Sequence, residues 1–576
     1  MSGQHLHIPD TADHVSLPQP TDSSQLHATG EEPDATVGQV RWFWLALCFV
    51  VVGFVIACGV HWALSHPFGT GYDETKYVNQ MNYDRQRLTN EGVASYVGGF
   101  FTDDPMRPPA YRLFAAPTSW FVEPTPAPLR LTGIAVFLLT LGLVFGIGQR
   151  VGGVTCGAIT TTLVAACPIV AGPTFRFGTE YPLVLGIATC VYFLARAWNK
   201  PRAGTLDWIG LGVGLAIGVL AKPSFFTIAG PVAVLVLLVR WRGWVQGPSF
   251  GWLMRAGVLG AALSVPWYAR NGLETARMVR RAQQFVRGEI HTMQEYLYVM
   301  LNDVYALPLF VILLLTAAGV VVYGRRFTRT PQLRPTLLFL GVLLMAAMPL
   351  HLAHMFASSN QNPRFLAPST LLVLIVAGTL IVLLQWDRRR VPMALLCALI
   401  ALQLAALGAP SFSMERPMAA KKPIYDRPMY FNSTFPQWDW SVLADYCRAR
   451  HIEVDRVGLL GLGLPMSRPQ IQYPWVRRGA RVRVDPLWRF TDGPFEMAEV
   501  VRAAKGADLV ITAPGYHGAH HDNNPADNAH NAAFAERMRR ETSYTQVRDL
   551  PIDPSGEQAV HVFIRRSATA RTGGSD

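Results

Sequence analysis

Long apolar stretches, separated by short polar connections, occupy most of the chain between residues 42 and 409. The hydrocarbon core of a bilayer is ~30 Å thick, so an α-helix needs roughly 20 apolar residues to cross it. The pattern therefore predicts an α-helical polytopic membrane bundle with about eleven spans. The predicted spans are residues 42–64, 129–148, 154–172, 181–198, 205–221, 224–240, 253–269, 305–323, 336–356, 366–385 and 392–409.

The two ends of the chain have a different pattern. Residues 1–40 are polar and rich in Pro, Asp, Thr and His, and this composition predicts a disordered tail because it offers little apolar surface to bury. Residues 410–576 alternate strand-like segments ("RVGLLGL", "ADLVITAP", "AVHVFIRR") with helix-like ones ("WSVLADYCRARH", "FEMAEVVRAAKG"). This alternation predicts a small α/β domain. Three parts are therefore expected: the tail, a transmembrane domain over 41–409, and the C-terminal domain.

The distribution of charge predicts how the chain is oriented. Lys and Arg number 51 against 39 Asp and Glu, a net charge of +12, yet only 16% of the residues are charged. Many Arg residues fall in alternate short connections, where Asp207 and Asp387 are the only acids. This positive-inside pattern predicts a cytoplasmic N-terminus, and an odd number of spans then places the C-terminal domain outside the cytoplasm. We expect a multi-pass plasma (inner) membrane protein that does not bind nucleic acid.

Two long connections are predicted on the outer face, residues 65–128 and 270–304, and long loops on one face are where function is expected. In the first, "DETKYVNQMNYDRQRL" predicts a surface helix that begins at Asp73. A second surface helix, "AYRLFAAPTSWF", is expected after the prolines at 108 and 109, which suit its first turn. Tyr111 in this stretch is a candidate for lining the same cleft.

Two pairs of acids stand in the first outer connection. Asp73 and Glu74 are either first-turn acids that stabilise a helix N-terminus or a catalytic base and its partner at the bilayer surface. Mutual repulsion in a partly dry cleft predicts a raised pKa for one of them. Asp103 and Asp104 form a second pair, which either caps the turn before Pro105 or adds to the same cleft.

Isolated cations and one further acid occur where the outer connections meet the spans. Lys222 and Arg364 each stand in a short connection, where an ionisable group is costly and is functional or else snorkels to the interface. Arg270 opens a basic segment that is an alternative source of cations. Glu180 is either a helix-capping acid or a cleft residue, and Arg107 is either a cleft residue or a plain loop arginine.

Five segments in order resemble one family: "YDETKY", "RPPAYRLF", "FGTEYPL", "GLAIGVLAKPSFF" and "NPRFLAPS". Together they resemble the GT-C superfamily of integral membrane glycosyltransferases, and most closely the branch with protein O-mannosyltransferases and the aminoarabinose–lipid A transferase. The resemblance covers roughly residues 42–409. No motif of the basic segment over 270–304 can be matched.

The resemblance implies an inverting transfer, outside the cytoplasm, of a sugar carried on polyprenyl phosphate. It implies a catalytic Asp that matches Asp73, a partner acid that matches Glu74, and a cation near the donor phosphate. Lys222, Arg270 and Arg364 are the positions that fit the cation. No cofactor and no metal-binding residues are expected, and the sequence leaves a metal requirement open.

The sequence leaves other functions open. The sugar is undetermined, and so is the acceptor, which is a protein, a lipid or a polysaccharide. The first alternative function is a transporter or flippase of lipid-linked sugars, although the ionisable residues gather at one face and no internal repeat is present. The second is a binder of lipid-linked sugars that has no catalytic activity.

Overall fold

The computed structural model describes residues 35–67, 72–198, 200, 204–285, 293–328, 330–356, 363–412, 438–461, 466–488, 495–513, 525–547, 550–553 and 560–570. Most of the predicted tail lies outside these ranges, and residues 35–40 belong to the first helix. The helices are α1 Ala35–Ser65, α2 Tyr72–Glu91, α3 Val93–Thr102, α4 Ala110–Phe121, α5 Pro126–Ala165, α6 Pro168–Phe175, α7 Glu180–Ala197, α8 Thr205–Ala221, α9 Phe226–Trp241, α10 Phe250–Phe285, α11 Met293–Val299, α12 Leu307–Thr328, α13 Arg334–Phe356, α14 Ala367–Leu383, α15 Arg390–Phe412, α16 Ser441–Ala449, α17 Arg468–Arg477, α18 Met497–Ala504, α19 Pro525–Arg539 and α20 Arg566–Ala570. The strands are β1 Arg456–Leu460, β2 Arg483–Pro486, β3 Leu509–Thr512, β4 Tyr544–Val547 and β5 His561–Arg565.

Seven helical segments of the described chain are long and apolar enough to cross a membrane. The prediction of a multi-pass helical bundle is therefore confirmed, whereas the count of eleven spans is not. The predicted spans at 205–221 and 392–409 correspond to shorter apolar helices. The seven segments are Gly38–Ser65, Pro126–Ala165, Glu180–Ala197, Pro223–Trp241, Leu307–Gly324, Pro331–Met355 and Pro363–Leu383.

The longest of these segments, α5, is two antiparallel helices. Gly152 and Gly153 leave helical geometry, and Gly153 has φ 85°, a conformation that glycine adopts without a steric penalty. The Cα of Gly157 lies 2.7 Å from the position that a Cβ on Gly148 would take. In a straight helix these residues would be ~13.5 Å apart at 1.5 Å per residue. The chain therefore turns back at the glycine pair, between the predicted spans 129–148 and 154–172.

The segment that was predicted as the second outer loop is helical through Phe285. The α10 helix continues past the predicted span end at 269 because residues 273–285 contain no glycine or proline that would stop it. Trp267 Nε1 and Asn271 Nδ2 each donate to a carbonyl at the end of α3, on Phe100 and Phe101, at 3.1 Å. The long helix thus supports the first outer segment from the side.

The first outer segment folds into three helices rather than two. The predicted helix from Asp73 is confirmed as α2, and the predicted second helix is confirmed as α4, which starts directly after Pro109. The helix α3 lies between them and was missed, because Gly98 and Gly99 weaken a helical pattern. The turn from α3 to α4 brings residues 103–109 back over the N-terminal end of α2.

Residues 438–570 contain a five-stranded sheet in the order β2-β1-β3-β5-β4. The pairs β1–β2 and β1–β3 are parallel, and the pairs β3–β5 and β4–β5 are antiparallel. The three predicted strands are confirmed as β1, β3 and β5, whereas β2 and β4 were missed because their sequences, RVDP and YTQV, are less apolar than the LVIT of β3. This C-terminal α/β unit contacts the membrane bundle through α17, which packs along α2.

Candidate active site

The Asp73 carboxylate lies between two arginines from distant parts of the chain. Arg107, in the turn before α4, donates from Nη2 to Oδ1 at 3.1 Å. Arg364, in the 3₁₀ turn that precedes α14, donates from Nη2 to Oδ2 at 3.0 Å. The Asp73 side chain remains 34% exposed. One carboxylate at the start of α2 therefore joins three segments that the sequence separates by up to 291 positions.

The two arginines determine the protonation state of Asp73. Burial raises its pKa, but the charges of Arg364 and then Arg107 outweigh burial and lower the pKa to about 2. The predicted raised pKa in the acidic pair is therefore wrong for Asp73. The reason is that its neighbouring acid points elsewhere, so two guanidinium groups face Asp73 instead of a second carboxylate. Asp73 is ionised at neutral pH.

Glu74, about 100° further around α2, points into the protein instead. Its two oxygens accept from Nε and Nη2 of Arg130, both at 2.8 Å, and Oε1 also accepts from the backbone N–H of Phe177 at 3.1 Å. Arg130 is fully buried and stacks over Trp62, with its Cζ 4.4 Å from the ring centroid. This closed pair ties α2 to the start of α5 and favours a structural role for Glu74.

A second charged pair adjoins Asp73. Lys222 follows the end of α8 and has an extended backbone, as expected of a residue before proline, which turns its side chain out of the helix. Its Nζ donates to Oε1 of Glu180, the first residue of α7, at 3.0 Å. Arg364 Nε lies 3.7 Å from the same oxygen. Lys222 also lies over the ring of Phe365 at 4.2 Å.

A third group of charges completes the cluster. Asp104 lies 3.8 Å from Arg107 and 3.7 Å from Lys76, which is on α2 one turn after Asp73. We call the residues that these ion pairs link the charged cluster: Lys76, Arg107, Lys222, Arg364, Asp73, Asp104 and Glu180. The charged cluster contains four cationic and three anionic side chains, and this excess of positive charge is suited to binding an anion.

Asp103 and Tyr111 lie in neighbouring contacts rather than in the charged cluster. Asp103 pairs with Arg87 at 2.8 Å and lies 3.9 Å from Arg112, whose guanidinium is bonded to the fully buried Asp84. The Tyr111 ring is buried against the Tyr77 ring at 4.5 Å.

Arg270 is exposed on α10, and no ion pair to the charged cluster is found for it within the described residues. The structure therefore brings Asp73, Lys222, Arg364, Arg107, Asp104 and Glu180 together, and it does not bring Arg270 to them.

Sequence reasoning missed two arginines near the site. Arg130 lies inside the predicted span 129–148, where a charge is costly, so its position was a usable signal. Arg176 directly precedes the "FGTEYPL" segment. Burial lowers its pKa, and its charge interacts with those of Glu74 and Arg364. No hydrogen bond to its Nε is found in the described part of the chain.

Comparison with known proteins supports the fold. Residues 106–269 match the family model of dolichyl-phosphate-mannose-protein mannosyltransferases. The structure resembles ArnT from Cupriavidus metallidurans bound to undecaprenyl phosphate, with a TM-score of 0.53 at 14% identity over 89% of this chain and 97% of that chain. The apo state of ArnT gives 0.50 at 14% identity, over 92% and 98%. No curated protein sequence matches the chain.

The chain has the GT-C fold of membrane glycosyltransferases. The recognition of the GT-C superfamily from the five sequence segments is therefore confirmed, and so is the glycosyltransferase class. The matched family segment begins next to Arg107 and ends within α10, so it includes Glu180 and Lys222 but not Asp73. The roles of individual residues remain predictions.

Proposed function

We propose that the protein transfers a sugar from a polyprenyl-phosphate carrier to a hydroxyl group of an acceptor outside the cytoplasm, with inversion at the anomeric carbon. The observation that carries this proposal is the position of Asp73 between Arg107 and Arg364, with Lys222 beside them. An ionised carboxylate and an excess of cations are what this reaction requires. The similar ArnT structure contains undecaprenyl phosphate, which supports the class of donor.

The cations of the charged cluster have a defined task in this reaction. As the bond between the anomeric carbon and the phosphate oxygen breaks, the electron pair stays on the phosphate and its negative charge grows. Fixed cations stabilise that charge more in the transition state than in the ground state. The guanidinium of Arg364 can meet a phosphate with two parallel N–H groups, and Lys222 adds a point charge. Arg176 is a further candidate.

Asp73 is proposed as the base that takes the proton of the acceptor hydroxyl as its oxygen attacks the anomeric carbon. With both arginines bound, its low pKa makes it a weak base. A donor phosphate would compete for Arg364 and Arg107 and would reduce their hold on the carboxylate. Asp73 would then become a stronger base only when the donor is in place. A single displacement of this kind inverts the anomeric configuration.

The positions of two ion pairs support a site at one face of the bilayer. Glu180 and Lys222 stand at one end of the α7–α8 pair, whereas Arg196 and Asp207 are joined at 2.8 Å at the other end. Helices of 17 and 18 residues separate the two pairs by about 25 Å at 1.5 Å per residue. A transporter places such groups near the midplane, so this arrangement favours the enzyme. We further propose an inner-membrane location with a cytoplasmic N-terminus.

Binding of undecaprenyl phosphate tests the proposed donor site. The full-length protein in nanodiscs would be titrated with radiolabelled undecaprenyl phosphate, alongside Lys222→Met and Arg364→Gln. Loss of one charge-assisted contact is expected to weaken binding about tenfold or more. Arg477→Gln removes a half-exposed arginine whose partner is Glu123, far from the cluster, and should bind like the wild type. Equal binding by all four proteins would refute the donor site.

A further inference from the structure

The order of the strands in the C-terminal α/β unit changes direction at one edge of its sheet. From β1 the chain passes through α17 to β2 on one side, and then through α18 to β3 on the other side of β1. The order of the parallel strands therefore reverses between β1 and β3. Open α/β sheets bind ligands outside the carboxyl ends of the strands at such a point.

Polar side chains line this edge. Thr512 ends β3, pairs in register with Leu460, and is fully buried, yet its Oγ1 has no hydrogen-bond partner among the described residues. Gly461 follows β1 with φ 99°, and the Nδ2 of Asn531 lies 3.3 Å from the position that a Cβ there would take. Asn531 is only 6% exposed. A hydroxyl thus lies at the end of β3, and an amide lies beside the end of the neighbouring strand β1.

Three aromatic rings form a wall on the same edge. His530 stacks on Phe495 with ring centroids 4.1 Å apart, and Phe495 meets Trp488 edge-on at 5.5 Å. Trp488 follows β2, so the wall begins at the carboxyl end of that strand. The Nδ1 of His530 is buried, and no hydrogen-bond partner for it is found in the part of the chain that the structure describes. Buried polar atoms are normally bonded, so two orphaned ones at one edge call for a ligand.

This edge is turned toward the end of α2 that carries Asp73. Asn79 Nδ2 donates to the Pro469 carbonyl at 2.9 Å, and Gln86 Nε2 donates to the Val476 carbonyl at 2.6 Å. Helices α17 and α2 therefore run parallel. Because α17 starts at the carboxyl end of β1, that end of the sheet lies beside Asn79, about 9 Å along α2 from Asp73.

We propose that this edge of the sheet forms a carbohydrate-binding crevice that holds a neutral glycan acceptor, a proposal that rests on the proposed transfer function. The hydroxyls of a sugar can both donate and accept, so they suit Thr512 Oγ1, the Asn531 amide and His530 Nδ1 together. The apolar face of a sugar ring suits an aromatic wall. A nucleotide fits less well, because "GLLGLG" lacks the full dinucleotide fingerprint.

The test is isothermal titration calorimetry of the full-length protein in nanodiscs. The protein is titrated separately with mannotetraose, galactotetraose, arabinotetraose and AMP. At least one neutral tetrasaccharide should bind, and Thr512→Val should weaken it about tenfold. The same variant should melt at an equal or higher temperature, because it replaces an orphaned hydroxyl with a methyl group. Thr545→Val, on the exposed side of β4, is the matched control and should bind like the wild type.

The inference is overturned if no tetrasaccharide binds, if only AMP binds, or if Thr512→Val binds as tightly as the wild type. Asp73→Asn separates this site from the transfer reaction, because that variant should keep its glycan affinity. If glycan binds and Asp73→Asn transfers sugar as fast as the wild type, Asp73 is not the base, but the carbohydrate-binding crevice is still supported. If Asp73→Asn loses transfer and no glycan binds to the protein, the crevice is refuted, but the assignment of Asp73 is not.

Discussion

The neighbouring acids Asp73 and Glu74 should respond in opposite ways to the loss of one charge. Glu74→Gln leaves the fully buried Arg130 without its carboxylate and weakens three hydrogen bonds. Removing one partner of a buried ion pair costs about 3–5 kcal/mol of folding free energy. We therefore expect a large loss of stability in this variant. Its transfer activity per folded molecule should stay close to that of the wild type.

Unfolding by sodium dodecyl sulfate in mixed micelles, followed by circular dichroism, measures the first quantity. Glu123→Gln is the matched control, because Glu123 also makes a two-pronged contact with an arginine, Arg477, but both side chains are nearly half exposed. An exposed pair contributes about 1 kcal/mol or less. A Glu74→Gln protein with wild-type stability and no transfer activity would refute the structural role and make Glu74 catalytic.

Two further predictions concern the charged cluster. Arg364→Gln removes the strongest influence that lowers the pKa of Asp73, so the pKa of Asp73 should rise. Because a base stops working when it is protonated, the acid limb of the pH profile of kcat/KM should move to higher pH. An acid limb at the wild-type pH would contradict this prediction. Lys222→Met should destabilise the protein, because Glu180 loses its nearest cationic partner. Adding Glu180→Gln to this variant should recover about 1 kcal/mol or more of folding free energy without restoring donor binding. Purely additive losses of stability in the double variant would argue against the ion pair.

Local pattern was enough to predict the elements that carry the site. The run from Asp73 predicted α2, and the segment after the prolines predicted α4, because both depend on residues within a few turns of each other. Strands β1, β3 and β5 were predictable for the same reason. The reversal within α5 was predicted as well, because 129–148 and 154–172 were two successive spans and the chain must turn back between them.

The partners within the site could not be predicted from local pattern. The contact between Asp73 and Arg364 joins residues 291 positions apart, and only the packing of the bundle brings them together. Sequence placed Asp73 and Glu74 side by side, but one residue of helix turns them about 100° apart, toward different arginines. Arg270 was a reasonable candidate by charge, yet α10 leaves it exposed.

The most direct test of the account is sugar transfer by Asp73→Asn. Membranes that contain the wild type or the variant would receive a radiolabelled polyprenyl-phosphate sugar, and incorporation into acceptor would be counted. Asp445→Asn, in an exposed pair with Arg478, controls for loss of a surface carboxylate. We predict a loss of about 10²–10⁴-fold for Asp73→Asn and none for the control. Undiminished transfer by a folded Asp73→Asn protein would contradict the account.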